Sequence, residues 1–197
     1  MSEFFGKYRG KVENNVDPLQ QGRVQVSVPA IFGSEKTAWA MPCSPYGGKK
    51  VGFFMIPPKG ANIWVEFEAG NIDYPIWSGC FWDRGEVPSK TAGPDVKVIK
   101  TEGIELTLSD VKSAGGLTLK TMSPAVSVPS TIVVDSKQIQ ITMQGAKVRI
   151  TPSAITISLD PGSVKLAPGG VELKHGGANI ALQNIKVAIN KGALEVT

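Results

Sequence analysis

The chain has 197 residues, of which 42% are hydrophobic and 19% are charged, and its formal net charge is +4. This composition is typical of a folded protein and excludes wholesale disorder. Basic and acidic side chains are mixed, ten and nine in residues 1–94 and eleven and eight in residues 95–197. The chain therefore lacks the basic stripe of a nucleic-acid binder. No segment approaches the ~20 consecutive apolar residues of a membrane span.

The aromatic residues divide the chain into two parts. All fourteen lie between Phe4 and Trp82, and the 115 residues that follow contain none. Because large rings dominate burial in ordinary compact cores, the two parts must build their interiors differently. We expect two domains, residues 1–88 and 104–197, joined by a linker over residues 89–103.

The N-terminal sequence and the cysteines bear on the compartment. The opening segment MSEFFGKYRG lacks the apolar core of a signal peptide, so we expect assembly in a cytoplasm. The spacing of Cys43 and Cys80 fits no metal pattern. In a reducing compartment we expect both to be small buried apolar residues, with a disulfide as the alternative.

Alternating apolar residues bounded by Gly, Pro and Asn predict short strands in the first part. Two segments show the alternation most clearly, with apolar faces at Val24, Val26 and Val28 and at Ile63, Val65 and Phe67. The further candidates are residues 8–12, 52–55 and 76–82. Five short strands in about 80 residues favour a small closed barrel such as the OB-fold.

The order of the motifs in this part resembles a known family. The motifs are DPLQQGRVQV at 17–26, WA at 39–40, Pro42, GFFMIP at 52–57, GANIWVEFEAG at 60–70 and YPIWSG at 74–79. Over residues 8–84 the chain resembles the N-terminal OB-fold domain of contractile-tail spike proteins. These include the central spikes of phage baseplates and the VgrG-like proteins of type VI and extracellular injection systems. An OB-fold that binds nucleic acid needs stacking rings beside a cationic groove. Here the rings mostly occupy alternating apolar positions, so we expect core or interface burial and no nucleic-acid partner.

The second part is repetitive. From Ile139 onward apolar residues form i, i+2 pairs whose starts are 9, 7, 9, 7, 9, 7 and 7 residues apart, an average close to eight. Less regular pairs precede them at 104/106, 117/119 and 132/134. Such self-similarity marks a repetitive architecture, and aliphatic units without rings suit a narrow prism in which three chains close a dry axis. The predicted axis residues are Ile139, Ile141, Val148, Ile150, Ile155, Ile157, Val164, Leu166, Val171, Leu173, Ile180, Leu182, Val187, Ile189, Leu194 and Val196.

The spacing also resembles the C-terminal region of the spike family, a trimeric, intertwined β-helix with a repeat of similar length. The alternative is a monomeric β-solenoid, whose rungs are usually longer and which normally needs terminal caps. The expected fold is therefore all-β, with an N-terminal OB-fold barrel followed by an intertwined trimeric β-helix that forms a needle.

The sequence offers little chemistry for catalysis. His175 is the only histidine, no Gly-x-Ser-x-Gly motif is present, and no carboxylate pair can be assigned as acid and base. We expect no enzyme activity and no cofactor. Three copies of His175 around an axis could hold a metal, but its place beside a turn favours exposure, so His175 is only a weak metal candidate. Some family members carry a hydrolase domain between barrel and helix, or a His-x-His metal tip. The segment near 84–101 is too short for such a domain, and the motif is absent.

The resemblance implies a structural role in a virion tail or injection-system particle. A homotrimer would dock to the tube and baseplate hub proteins through its barrel, and its needle would contact and breach the target membrane. Because the sequence ends within the repeat, we expect a PAAR-like protein to cover the tip. The alternative function is a β-stalk that displays a receptor- or glycan-binding surface, which should carry aromatic anchors in its distal part.

Overall fold

The computed structural model describes residues 3–33, 36–190 and 193–196. The chain divides into two compact units, Met1–Val87 and Pro88–Thr197. Among the described residues, regular structure is almost entirely β, which confirms the expected all-β class. No helix in this described part is long and apolar enough to cross a membrane.

The N-terminal unit contains a closed barrel of five strands. The strands of this unit are β1 (Tyr8–Asn14), β2 (Val24–Ser27), β3 (Thr37–Pro42), β4 (Gly47–Gly48), β5 (Val51–Gly52), β6 (Asn62–Phe67) and β7 (Pro75–Cys80). The unit also contains helix α1 at Pro29–Phe32 and a 3-10 turn at Glu68–Gly70. The barrel closes in the order β1-β2-β3-β7-β6, while β4 and β5 form a separate hairpin. The contact between β3 and β7 is parallel, and the other barrel pairs are antiparallel.

The alternation in the sequence determines the barrel core. Val24, Val26 and Val28 are fully buried, as are Ile63 and Val65, because strand geometry turns every second side chain inward. Two rings join this cluster, at Phe67 and Trp77. The Trp77 indole N–H donates to the Gly22 carbonyl oxygen at 3.2 Å, so the polar group of this buried ring has a hydrogen-bond partner.

One predicted strand of the barrel is wrong. Residues 52–55 do not form a strand, since β5 ends at Gly52 and Phe53, Phe54 and Met55 are 56–72% exposed. Three consecutive large apolar residues carry no period-two signal, so they cannot present one buried face. The remaining barrel strand is β3, which contributes the fully buried Ala40.

The expected burial of the cysteines is also wrong. Cys43 and Cys80 are both free thiols on the surface. Many rings likewise lie outside the barrel core, and six are 58–72% exposed: Phe5, Tyr46, Phe53, Phe54, Tyr74 and Trp82. The valines on facing strands already fill the interior of this small barrel, so large rings are left to pack around it or to remain exposed.

Asp17 fixes the loop between β1 and β2. Its carboxylate accepts hydrogen bonds from the backbone N–H groups of Leu19, Gln21 and Arg23 and from the Arg23 guanidinium, at 2.7–3.2 Å. The Asp17 side chain is only 5% exposed. The Arg23 guanidinium, helped by the backbone N–H groups, holds the pKa of Asp17 far below its usual value.

We expect Asp17→Asn to lower the melting temperature of the barrel by several degrees at neutral pH, because the amide loses the charge that holds Arg23. Because the pKa of Asp17 is lowered in the folded state, its contribution to the stability of the barrel is complete above about pH 4, where the unfolded side chain is ionised. This contribution is lost as pH falls from there toward the folded pKa. The difference in melting temperature between the wild type and the variant should therefore become smaller below about pH 4. All four tryptophans lie in this unit, so their fluorescence follows its melting. A difference in melting temperature that does not change with pH would show that the ionised Asp17 carboxylate does not stabilise the barrel.

The C-terminal unit is a single antiparallel sheet of twelve strands in chain order. The strands are β8 (Val96–Lys100), β9 (Ile104–Ser109), β10 (Gly116–Thr121), β11 (Ser130–Asp135), β12 (Ile139–Met143), β13 (Ala146–Thr151), β14 (Ala154–Leu159), β15 (Gly162–Ala167), β16 (Gly170–His175), β17 (Ala178–Gln183), β18 (Lys186–Ile189) and β19 (Leu194–Val196). Because β8 pairs with β9, the sheet begins inside the segment 89–103 that the sequence assigned to a linker.

The structure explains the alternating spacing of the apolar pairs. Strands β13 to β19 begin every eight residues, and two-residue turns connect the strands from β12 to β18. A hairpin reverses the chain, so Val148 pairs with Ile157 and Ile150 pairs with Ile155. The apolar pair thus occupies the third and fifth positions of β13 and the second and fourth of β14. A strict eight-residue unit therefore produces spacings of seven and nine, and the intertwined β-helix stays a prediction.

Candidate functional site: the apolar face of the sheet

One face of the sheet carries two continuous columns of aliphatic residues. Strand register aligns the first column as Leu106, Leu119, Ile132, Ile141, Val148, Ile157, Val164, Leu173, Ile180, Ile189 and Leu194. The second column is Leu108, Leu117, Val134, Ile139, Ile150, Ile155, Leu166, Val171, Leu182, Val187 and Val196. Directly paired residues on one face of a sheet lie about 5 Å apart. Each aliphatic column is therefore an unbroken ridge.

All sixteen predicted axis residues fall in these aliphatic columns. Val196 is placed by its backbone register alone, since its side chain lies outside the described part of the chain. The structure brings these residues onto one face, and their position on a trimer axis remains a prediction. The earlier members of the columns, in β9 to β11, come from the pairs whose spacing is less regular in the sequence.

The aliphatic columns are largely exposed in a single chain. Twelve of the predicted axis residues keep 37–56% of their surface accessible. Val171, Val187 and Ile189 are half-buried. Soluble monomers rarely expose contiguous apolar patches larger than a few hundred Å². A surface this long therefore needs a partner to cover it.

The opposite face of the same strands is polar. In the middle of this face the register aligns Gln140, Arg149, Thr156, Lys165 and Glu172. The Arg149 side chain donates from Nε to Gln138 Oε1 at 2.7 Å, and Lys174 forms an ion pair with Glu172 at 2.9 Å. An antiparallel sheet with one apolar and one polar face buries the apolar one. The aliphatic face is therefore the candidate assembly surface.

Glu105 is the centre of a small charged cluster on the polar face. It lies opposite Lys100 in β8 and opposite Lys120 in β10. Its carboxylate pairs with the two ammonium groups at 3.0 and 3.6 Å, and its side chain is 13% exposed. The hydrogen bond from Lys100 lowers the pKa of Glu105, with a further contribution from Lys120. This cross-strand cluster favours the register of the first three strands of the sheet.

A third apolar position, which was not predicted from the sequence, lies beside the first column. Met143 and Leu159 lie on the aliphatic face and are 52% and 61% exposed. Ala146 pairs with Met143 in the neighbouring strand and continues this position. The sequence signal is the extension of an i, i+2 pair to a triplet, as in 139/141/143 and 155/157/159.

His175 belongs to the aliphatic face by strand alternation, two residues beyond Leu173. It pairs with Gly162 in β15 and with Ala178 in β17, and it is exposed in the single chain. Within the described part of one chain, no group of three or more His, Cys, Asp or Glu side chains could hold a metal ion. A metal site formed by three copies of His175 around an axis therefore stays a prediction.

Comparison with protein families assigns both units. Residues 8–82 match the type VI secretion system/phage-baseplate injector OB domain. Residues 96–161 match the phage baseplate V C-terminal trimerisation domain. Together these matches span more than two thirds of the chain. No curated protein matched it. The second match begins at β8 and includes the aliphatic columns as far as β14.

Proposed function

The chain belongs to the phage-baseplate V spike family, and from that premise we propose that three copies form the central spike of a contractile phage tail or a related injection system. Membership gives the chain a structural role in a baseplate, and its trimerisation domain supports self-association. The observation that carries the proposal is the exposed pair of aliphatic columns along strands β9 to β19.

Three sheets would turn their aliphatic columns toward a common axis. Full burial of an aliphatic side chain contributes ~1.5–3 kcal/mol, and roughly half of that remains to be gained here. The fifteen axis residues whose side chains the structure describes would therefore contribute on the order of 11–22 kcal/mol per chain. This figure is a gross upper value, because association also orders side chains and restricts motion. It is large enough to make the folded trimer obligate.

The two units would have different tasks in the particle. The OB barrel would form a collar that docks to the tube and baseplate hub, and the sheet would become the β-helical needle that breaches the target envelope. The needle would act through stiffness, since hydrogen-bonded strands around a dry aliphatic axis resist bending. Sheath contraction would supply the work, and no catalytic group would take part.

The needle would also contact other components beyond the last rung that the structure describes. The rung formed by β18 and β19 is as aliphatic as those before it, with Ile189 opposite Leu194. We propose that a PAAR-like tip protein covers this cross-section and that the assembled tip meets the target membrane transiently. Co-purification of a PAAR-like protein that is lost when Leu194 is replaced by aspartate would support this contact.

The mass of the native protein in solution tests the trimer directly. Light scattering should give three times the 20.9 kDa mass of one chain. The same sample should migrate as a trimer on SDS gels when it is not boiled, because the axis excludes detergent. A stable monomer of 20.9 kDa would contradict the proposed spike.

A further inference from the structure

The barrel unit carries an apolar surface of its own. We call residues 43–55 of this unit the aromatic arm. Five large apolar residues of the arm are 56–72% exposed: Tyr46, Val51, Phe53, Phe54 and Met55. Exposed runs of this kind mark interaction sites in soluble proteins. The arm belongs to the barrel unit, so it shares no residue with the aliphatic columns of the sheet.

The aromatic arm is held in a defined position on the barrel. The Tyr46 and Phe53 rings pack edge to face with centroids 6.5 Å apart. The Ser44 hydroxyl shares its proton between the carbonyl oxygens of Tyr46 and Phe53, which lie 3.0 and 3.1 Å from its Oγ. The Phe54 ring lies against Gly22, so closely that a Cβ at Gly22 would stand 3.2 Å from Phe54 Cε2. An arm anchored in this way presents its apolar side without a large ordering cost.

The charge of the aromatic arm is positive. Lys49 and Lys50 form the turn between β4 and β5. Among the described residues that line the groove beside the arm, Lys50 is charged and none is acidic. A partner should therefore combine apolar side chains with carboxylates.

Another part of the same barrel has these properties. The rings of Phe5 and Tyr74 are 65% and 60% exposed, and Glu68 and Asp73 beside them are exposed carboxylates. Local contacts bring this region together, since Phe4 N–H donates to the Gly70 carbonyl at 2.9 Å and Glu68 N–H donates to the Tyr74 carbonyl at 3.0 Å. We call Phe5, Glu68, Asp73 and Tyr74 the acidic ring patch. It shares no residue with the arm or its groove.

We propose that, in the trimer, the aromatic arm of one chain packs on the acidic ring patch of the next chain. This inference rests on the proposed trimer. A cyclic trimer needs a heterologous contact between two different surfaces, repeated around the ring, and the arm and the patch are such a pair. The barrel match ends at residue 82 and the trimerisation match begins at residue 96. The short connection tethers the three barrels, which raises their effective concentration to about the millimolar range.

Thiol crosslinking of the full chain tests this contact. The native thiols are exposed, so Cys43→Ser/Cys80→Ser is the background. Gly47→Cys in the arm and Ala69→Cys beside Glu68 are added together, since both positions are exposed and neither removes a charge of the contact. A short bismaleimide should then give covalent trimers on denaturing gels, because each chain supplies one thiol to each neighbour. Either thiol alone should give monomers. Lys59→Cys with Ala69→Cys is the matched control, since Lys59 lies outside the arm, and it should also give monomers on the denaturing gel.

A second variant tests whether the apolar arm drives the contact. Phe54→Ser in the two-thiol background should reduce the covalent trimer at least about fivefold, as expected for loss of a buried aromatic anchor. Light scattering before crosslinking separates this inference from the proposed function. A monomer would contradict the spike itself. A trimer that does not crosslink, that forms covalent dimers through single thiols, or that is insensitive to Phe54→Ser would overturn the arm-to-patch contact.

Discussion

Ile157→Asp should dissociate the trimer into monomers at concentrations where the wild type remains assembled. Ile157 is 54% exposed in the single chain, so the isolated sheet can accept aspartate at this position at small cost. Its neighbours in the first column are Val148 and Val164, so the variant interrupts the ridge at its middle. On the proposed axis three carboxylates would be buried together, at several kcal/mol each. The trimerisation constant should then fall by at least about a thousandfold for each chain.

Ser158→Asp is the matched control for this variant. Ser158 is the next residue along β14 and faces the polar side, opposite Lys147 and Ser163. Ser158→Asp introduces the same charge into the same strand, and the ammonium group of Lys147 can pair with the new carboxylate. We expect this variant to remain trimeric by light scattering and sedimentation. If both aspartates weaken the trimer equally, the aliphatic columns are not the assembly surface.

The sequence predicted the apolar face of the sheet well because the signal is repeated. An i, i+2 pair fixes which face each residue shares, and eight such pairs leave little freedom in register. The spacings of seven and nine looked irregular in the sequence. They follow from hairpin reversal within an eight-residue unit, as the pairing of Val148 with Ile157 shows. Periodicity identifies an apolar face, but it does not indicate which chain covers that face.

Single features of the barrel were harder to predict. The buried valines of β2 alternate, and their burial follows from that alternation. Phe53, Phe54 and Met55 are consecutive, so hydrophobicity alone suggested a strand where the structure has an exposed segment. Cys43 likewise belongs to no periodic pattern, and its exposure depends on the tertiary path after β3. The strand predicted at residues 52–55 and the predicted burial of Cys43 both fail within the arm, where apolar residues form a surface and not the core.

Gly170→Ala should strongly destabilise the C-terminal unit. Gly170 begins β16 with φ +133°, a conformation that residues with a side chain rarely adopt. A Cβ there would collide with the carbonyl oxygen of Leu182 in β17. Alanine must therefore strain its own backbone or push β16 away from β17, where Val171 pairs with Leu182. We expect the free energy of unfolding to fall by about 2–4 kcal/mol.

Gly169→Ala provides a matched control one residue earlier in the same turn. A Cβ at Gly169 would meet no atom within 4 Å, so its effect should stay within about 0.5 kcal/mol. Urea unfolding followed by far-UV circular dichroism compares the two, and tryptophan fluorescence separates the barrel transition. The loss in Gly170→Ala should appear in the sheet transition and leave the barrel transition unchanged. Equal stability of the two variants would show that β16 and β17 do not approach closely at Gly170, and the columns would lose the alignment of Val171 with Leu182 on which the proposed axis depends.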